Sequence, residues 1–165
     1  MIGPYSIGVD SMNRMQVVLG AYDSMTVNDW LTLLGETWSS CDRIGDHRDK
    51  LAGYLRDCER GELDLMMGRW ELKVHRALPE VIQVWRGCYE FNSNGLSWSL
   101  SRDIAARFAN PALHRYHHPG YEPLLLTGWV SRDGIVLKLD RREREVIAHT
   151  VWSTAKLARG ASQLA

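Results

Sequence analysis

The spacing of apolar residues changes near Pro79, and this change constrains the fold more than any other feature of the chain. Before Pro79, apolar residues recur at i, i+3 and i+4, which is typical of one-faced helices. After it, short β-branched and aromatic runs are separated by turn residues, which indicates strands. Strands that do not alternate regularly with helices favour an α+β fold over a doubly wound sheet.

The domain organisation follows from this pattern. We expect a helical N-terminal region over residues 1–79, a β-rich core over 80–152 and a loose C-terminal tail over 153–165. The length of 165 residues suits one compact domain.

Two helices are predicted early in the first region. Thr26 is expected to cap a helix whose apolar face ends at Trp38. Asp46 is expected to cap a second helix, whose apolar face reaches Cys58 and which stops at Gly61.

A third helix is predicted over residues 63–78. Gly68 weakens it slightly and Pro79 ends it. Three tryptophans at helical spacing are expected in the core: Trp30, Trp38 and Trp70.

The second region is expected to contain five strands and one short helix. The strands are expected over residues 81–85, 96–99, 124–131, 135–139 and 143–152. Ser101 is expected to cap the helix, and residues 110–123 to form a loop. The pair Asp133 and Gly134 favours a hairpin between the third and fourth strands.

Composition argues against bulk nucleic-acid binding and against a membrane-spanning chain, but it leaves a nucleic-acid acceptor open. Twenty basic and twenty acidic residues give a net charge of zero, so bulk nucleic-acid binding has no electrostatic basis. Three cysteines without motif spacing, Cys41, Cys58 and Cys88, are expected to be free thiols in a reducing compartment. We see no signal peptide in residues 1–10 and no stretch near the ~20 apolar residues that span a bilayer. We therefore expect a cytoplasmic protein without a membrane partner.

An arginine is expected at the end of the first apolar strand. Arg86 follows Trp85 and precedes Gly87. A guanidinium at a sheet rim can bind phosphate through two hydrogen bonds, and glycine lets a ligand approach the main chain. The more common role of a strand-end arginine is a surface residue.

Two further segments place paired polar residues in strands. Ser97 and Ser99 flank Trp98, and strand alternation puts both hydroxyl groups on one face. By the same alternation Glu143 and Glu145 share a face, and two close carboxylates perturb each other's pKa. Taken singly, each segment is more often a solvated face or charge run.

Together, and in this order, the segments resemble the Arg–Ser–Glu class of mono-ADP-ribosyltransferases, which includes bacterial toxins, vertebrate ecto-enzymes and phage enzymes. The resemblance covers about residues 81–150 and rests on these residues: Trp85, Arg86 and Gly87; Ser97, Trp98 and Ser99, followed by Ala105 and Phe108; and Glu143, Arg144 and Glu145. Trp98 departs from the threonine common in the family.

The resemblance implies an ADP-ribosyltransferase-like split β-sheet core, with NAD as the substrate and no metal. It places the following residues at the NAD site: Arg86, Gly87, Ser97, Trp98, Ser99, Phe108 and Glu145. Arg86 would hold a phosphate or ribose, and the Gly87 main chain the nicotinamide amide. Phe108 would pack on nicotinamide; its alternative is a buried helix residue.

The catalytic roles implied by the resemblance fall on four residues: Glu145, Glu143, Arg86 and Ser97. Ser97 would steady Glu145, which would hydrogen-bond the nicotinamide-ribose 2′-hydroxyl and favour the cationic transition state. Glu143 would deprotonate the acceptor. Ser99 would support the strand.

The expected acceptor is arginine on a protein, because a guanidinium needs a base beside it before it can attack. A small transferase of this kind fits a phage protein that modifies bacterial host proteins, or an intracellular toxin. Two alternatives remain open: an NAD glycohydrolase, with water as acceptor, and a non-catalytic interaction protein of the same fold.

Three histidines, His114, His117 and His118, lie close together in the expected loop. Clustered histidines can bind zinc, but no carboxylate or thiol stands at supporting spacing, which favours a solvated loop. The loop can also cover the NAD site or contact the acceptor.

Overall fold

The computed structural model of the protein describes residues 8–59, 61–110, 112, 118–139 and 142–157. These residues form an α+β fold, as the apolar spacing predicts, and it contains five α-helices and one six-stranded sheet. The chain divides into two compact units, Met1–Ala77 and Leu78–Ala165. Over the described ranges, no helix combines the length and apolar character needed to cross a bilayer.

The first unit is helical. Its helices are α1 (Arg14–Gly20), α2 (Val27–Thr37), α3 (Arg48–Asp57) and α4 (Arg69–Arg76). Thr26 caps α2 as expected, since its side-chain oxygen accepts a hydrogen bond from the Asp29 main-chain nitrogen at 3.1 Å. Trp30 and Trp38 are buried, which confirms their predicted place in the core.

The predicted start of the second helix is wrong. Asp46 lies in a 3-10 turn over Ile44–His47, and α3 begins only at Arg48. The Asp46 carboxylate pairs with the Arg43 guanidinium at 2.8 Å, so it does not cap main-chain amides. The helix also ends at Asp57, before Gly61.

The prediction of one continuous third helix over residues 63–78 is also wrong. A 3-10 segment over Glu62–Met66 is followed by a break, after which α4 begins. Gly68 has an extended backbone, with ψ of 166°, and its amide donates to the Glu71 carboxylate at 2.8 Å. The break shifts the helical phase, so Trp70 is 64% exposed and the prediction that it lies in the core fails.

The second unit carries the sheet. Its elements are β1 (Val81–Tyr89), β2 (Ser97–Ser99), α5 (Arg102–Phe108), β3 (Pro123–Ser131), β4 (Ile135–Lys138), β5 (Glu145–Ala148) and β6 (Trp152–Lys156). The strand order is β4-β5-β2-β1-β3-β6, and every neighbouring pair is antiparallel.

The predicted β3–β4 hairpin does not form. β3 pairs with β1 and β6, whereas β4 pairs with β5. A two-residue type I′ hairpin needs left-handed residues, but Asp133 and Gly134 lie in a 3-10 turn without positive φ. The Arg132 amide instead donates to the Glu80 carbonyl at 2.9 Å, which ties this turn to the start of β1.

The predicted last strand over residues 143–152 is in fact two strands. β5 begins only at Glu145, and β6 lies at the other side of the sheet, beside β3. Residues 153–156, expected in the loose tail, therefore belong to β6. Residues 158–165 lie outside the described chain.

One close main-chain contact fixes the packing of the first unit. A Cβ on Gly35, in α2, would lie 2.3 Å from the Met66 carbonyl oxygen. Such a distance is far inside van der Waals contact and the obstacle is main chain, so only glycine fits without movement of the 3-10 segment.

We expect Gly35→Ala to destabilise the protein by roughly 1–3 kcal/mol, because overpacking forces the main chain apart. Gly53→Ala is the matched control: this glycine is also helical, and a Cβ there meets no atom within 4 Å. The control should be neutral or gain up to about 1 kcal/mol from helix propensity. Urea titration measures both, and equal stability of the two variants would contradict the contact.

Candidate active site

One row of side chains crosses the sheet on a single face. Directly opposite residues of antiparallel strands point to the same side. Lys138 pairs with Glu145, Glu145 with Ser99, and Ser99 with Trp85. Ser97, two residues before Ser99 in β2, faces the same way. Three of the predicted site residues therefore share one face at the centre of the sheet.

Both serine hydroxyl groups of β2 contact the glutamate segment. Ser97 Oγ donates to Glu145 Oε1 at 2.5 Å, across 48 residues of sequence. Ser99 Oγ donates to the Glu143 carbonyl oxygen at 3.0 Å and accepts from the Ser101 amide at 3.1 Å. The short strand thus holds the Glu145 side chain and the Glu143 main chain at once.

The prediction that strand alternation places Glu143 and Glu145 on one face is wrong. β5 begins at Glu145, and Arg144 has a left-handed backbone with φ of 49°. Strand alternation requires an extended intermediate residue, so Glu143 and Glu145 do not share a face for that reason. Glu143 is half-buried in a turn, and the Ser99 hydrogen bond holds its main chain.

Arg86 lies inside β1, so the predicted strand end at this residue is also wrong. Alternation from Trp85 points its side chain away from the Glu145 face. Its guanidinium turns back to the main chain, where Nη1 donates to the Ser97 carbonyl and Nη2 to the Asn92 carbonyl, the latter at 2.9 Å. Two of its donors are thus used within the protein.

Burial lowers the pKa of the Arg86 guanidinium. The neighbouring Cys88 side chain and the Glu145 carboxyl group act in the opposite direction and raise that pKa. Nε is buried without a hydrogen-bond partner among the described residues. Arg86 is linked to Glu145 through Ser97, whose carbonyl oxygen accepts from the guanidinium and whose hydroxyl group donates to the carboxylate.

The space beside Gly87 is filled by α5. A Cβ on Gly87 would lie 2.1 Å from the Ala105 carbonyl oxygen and 2.8 Å from Phe108 Cβ. The close approach that requires glycine here is that of the helix, whose start is capped by Ser101 as predicted. Phe108 is half-exposed beside Gly87. It therefore lies on the face that carries Glu145.

Trp98 points to the opposite face. It is 6% exposed, and its indole N–H donates to the Gly95 carbonyl oxygen at 3.1 Å. The side chain of Trp98 thus lies on the side of β2 away from Glu145, and its contact with NAD stays a prediction.

The histidine loop is described only in part. His114 and His117 lie outside the described residues. The His118 amide donates to the Tyr89 hydroxyl oxygen at 3.3 Å, and its ring packs edge-on against the Tyr89 ring at 5.1 Å. Among the residues that the structure describes, no three side chains of His, Cys, Asp or Glu are grouped as metal ligands.

Sequence reasoning missed two residues of this region. Lys138 is buried opposite Glu145, and the Asn92 carbonyl anchors Arg86. A lysine inside the apolar run of residues 135–139 is the signal that identifies Lys138 as unusual. The Asn92 contact has no such signal, because any residue supplies a carbonyl group.

We expect Gly95→Ala to destabilise the protein by roughly 1–3 kcal/mol. A Cβ there would lie 2.1 Å from Arg86 Nη2, so the guanidinium would have to leave the Asn92 and Ser97 carbonyls. Gly134→Ala, where a Cβ meets nothing within 4 Å, is the control. Thermal unfolding compares the two, and an unchanged melting temperature for Gly95→Ala would refute the anchoring role.

Comparison with known proteins finds no relative. No protein-family model and no curated protein matches the sequence, and no solved structure matches the fold.

Proposed function

We propose that the protein is an NAD-dependent mono-ADP-ribosyltransferase that modifies arginine on an acceptor protein, with a split-sheet core of the corresponding family. The observation that carries the proposal is the pair of hydrogen bonds from β2. Ser97 holds the Glu145 carboxylate and Ser99 holds the Glu143 main chain. The Ser-x-Ser segment thus contacts the Glu-x-Glu segment directly, and Arg86 contacts Ser97.

Glu145 carries the first step of the proposed reaction. The bond between the nicotinamide nitrogen and the ribose C1 breaks, and nicotinamide leaves neutral with the electron pair. Positive charge develops on the ribose, and a carboxylate already fixed in position stabilises it without reorganisation. The Ser97 hydroxyl supplies that fixation, since it donates to Glu145 Oε1.

Glu143 completes the transfer. A guanidinium nitrogen of the acceptor forms the new bond to C1 and gives up a proton, for which a base is required. Glu143 is adjacent to the Glu145 strand and half-buried, which suits that base. The proposed acceptors are proteins of a bacterial host.

The proposed role of Arg86 differs from a direct phosphate clamp. Its Nη atoms donate to the Ser97 and Asn92 carbonyls. It therefore positions Ser97, and through Ser97 it positions Glu145. Phe108, half-exposed on the Glu145 face, offers the apolar surface on which nicotinamide would pack.

A second candidate is an NAD glycohydrolase, and one observation favours it. The Glu143 carboxylate makes no hydrogen bond or ion pair with the other described residues, whereas Glu145 is held by Ser97. Hydrolysis needs only the fixed carboxylate, since water replaces the guanidinium acceptor.

We expect Glu145→Gln to lower the rate of nicotinamide release about 10²–10³-fold, because a neutral amide no longer faces the developing charge. Ser97→Ala should lower it about tenfold, the value of one hydrogen bond. Glu80→Gln, an exposed glutamate before β1, is the control and should leave the rate unchanged. Release that survives Glu145→Gln would refute the catalytic assignment, and absence of NAD binding by calorimetry would favour a non-catalytic protein.

We expect Glu143→Gln to separate the two candidates. If the protein is a transferase, labelled ADP-ribose on bacterial lysate proteins falls about 10²–10⁴-fold, the contribution of a general base, while nicotinamide release persists. If it is a glycohydrolase, wild type releases nicotinamide without labelling any protein. Mass spectrometry of proteins labelled by wild type and by Glu145→Gln distinguishes these outcomes and identifies the acceptor.

A further inference from the structure

Lys138 is a charged residue in an otherwise apolar strand. The other residues of β4 are apolar and buried: Ile135, Val136 and Leu137. Lys138, at the end of the strand, is only 8% exposed. Lysine is almost never so deeply buried unless a group of opposite charge or a set of acceptors compensates for the loss of water.

The sheet register places Glu145 directly across from Lys138. The two residues are Cα partners in the antiparallel β4–β5 pair, so both side chains lie on the same face. Their Cβ atoms are about 4.5–5.5 Å apart in such pairs, well within the reach of a lysine side chain.

Glu145 consequently has polar neighbours on both sides. Ser97 in β2 donates to one of its oxygens, and Arg86 in β1 in turn donates to the Ser97 carbonyl oxygen. On the β4 side the residue opposite is Lys138. Glu143 and Arg144 are charged residues of the segment that precedes β5.

We propose that Lys138 is a positioning residue whose ammonium group keeps the Glu145 carboxylate ionised and oriented for the proposed reaction. The inference rests on the proposed function, because only an ionised Glu145 stabilises a developing positive charge. Partial burial favours the protonated carboxyl group, and a nearby cation reverses this preference. The neutral Ser97 hydroxyl group supplies no positive charge, so it does not by itself reverse this effect of burial.

The first experiment measures the charge of Glu145 without reference to activity. NMR of protein labelled with ¹³C at the glutamate carboxyl groups follows the titration of Glu145, assigned by its loss in Glu145→Gln. We expect Lys138→Met to raise the pKa of Glu145 by about 1 or more, a tenfold gain in proton affinity. Lys138→Arg, which keeps the positive charge, should leave the pKa near the wild-type value.

Lys156→Met controls for a general loss of positive charge. Lys156 is an exposed lysine of β6 that pairs with Glu90 at 3.3 Å, and its removal should not change the titration of Glu145. A folded Lys138→Met protein with an unchanged Glu145 titration would overturn the proposal. If Lys138→Met does not fold, the Glu145 titration is measured in Lys138→Gln, which removes the charge but keeps a polar side chain. The same rise in the pKa of Glu145 is expected there.

The second experiment concerns the reaction. In Lys138→Met the acid limb of the pH–rate profile of nicotinamide release should move upward with the pKa of Glu145, with KM for NAD unchanged. A uniform loss of rate at every pH would indicate a merely structural role and would contradict the inference. If wild type releases no nicotinamide, the proposed function fails, whereas the NMR titration still tests the pairing of Lys138 with Glu145.

Discussion

Ser97 is the residue on which the candidate site depends. Its carbonyl oxygen accepts from the Arg86 guanidinium, and its hydroxyl group donates to the Glu145 carboxylate. Hydrogen bonds to charged groups are stronger than those between neutral groups. One residue therefore links the buried Arg86 guanidinium of β1 to the Glu145 carboxyl group of β5, although strand alternation points these two side chains to different faces of the sheet.

The parts of the fold that could be predicted are those decided by near neighbours. Thr26 and Ser101 cap their helices, since each cap involves an amide only three residues away. The break at Gly68 was missed although it has a local signal, because glycine has low helix propensity and the Glu71 carboxylate three residues on accepts from its amide. The β3–β4 hairpin failed because strand partners are chosen by the whole sheet.

The candidate site shows the same division. Ser97 and Ser99 share a face because alternation within one strand is a local property. The relation of Glu143 to Glu145 could not be predicted, because a single left-handed residue, Arg144, interrupts the strand pattern. The place of Lys138 opposite Glu145 depends on register between strands, which the local sequence does not encode.

The shortest strand also occupies the middle of the sheet. β2 has three residues and a single register partner in β1 within the described chain, yet it connects β4 and β5 to the three strands on its other side. Few main-chain bonds at a junction make its local opening inexpensive. The β1–β2 junction is therefore the narrowest part of the sheet, and the Ser97–Glu145 hydrogen bond lies directly beside it, across the β2–β5 pair.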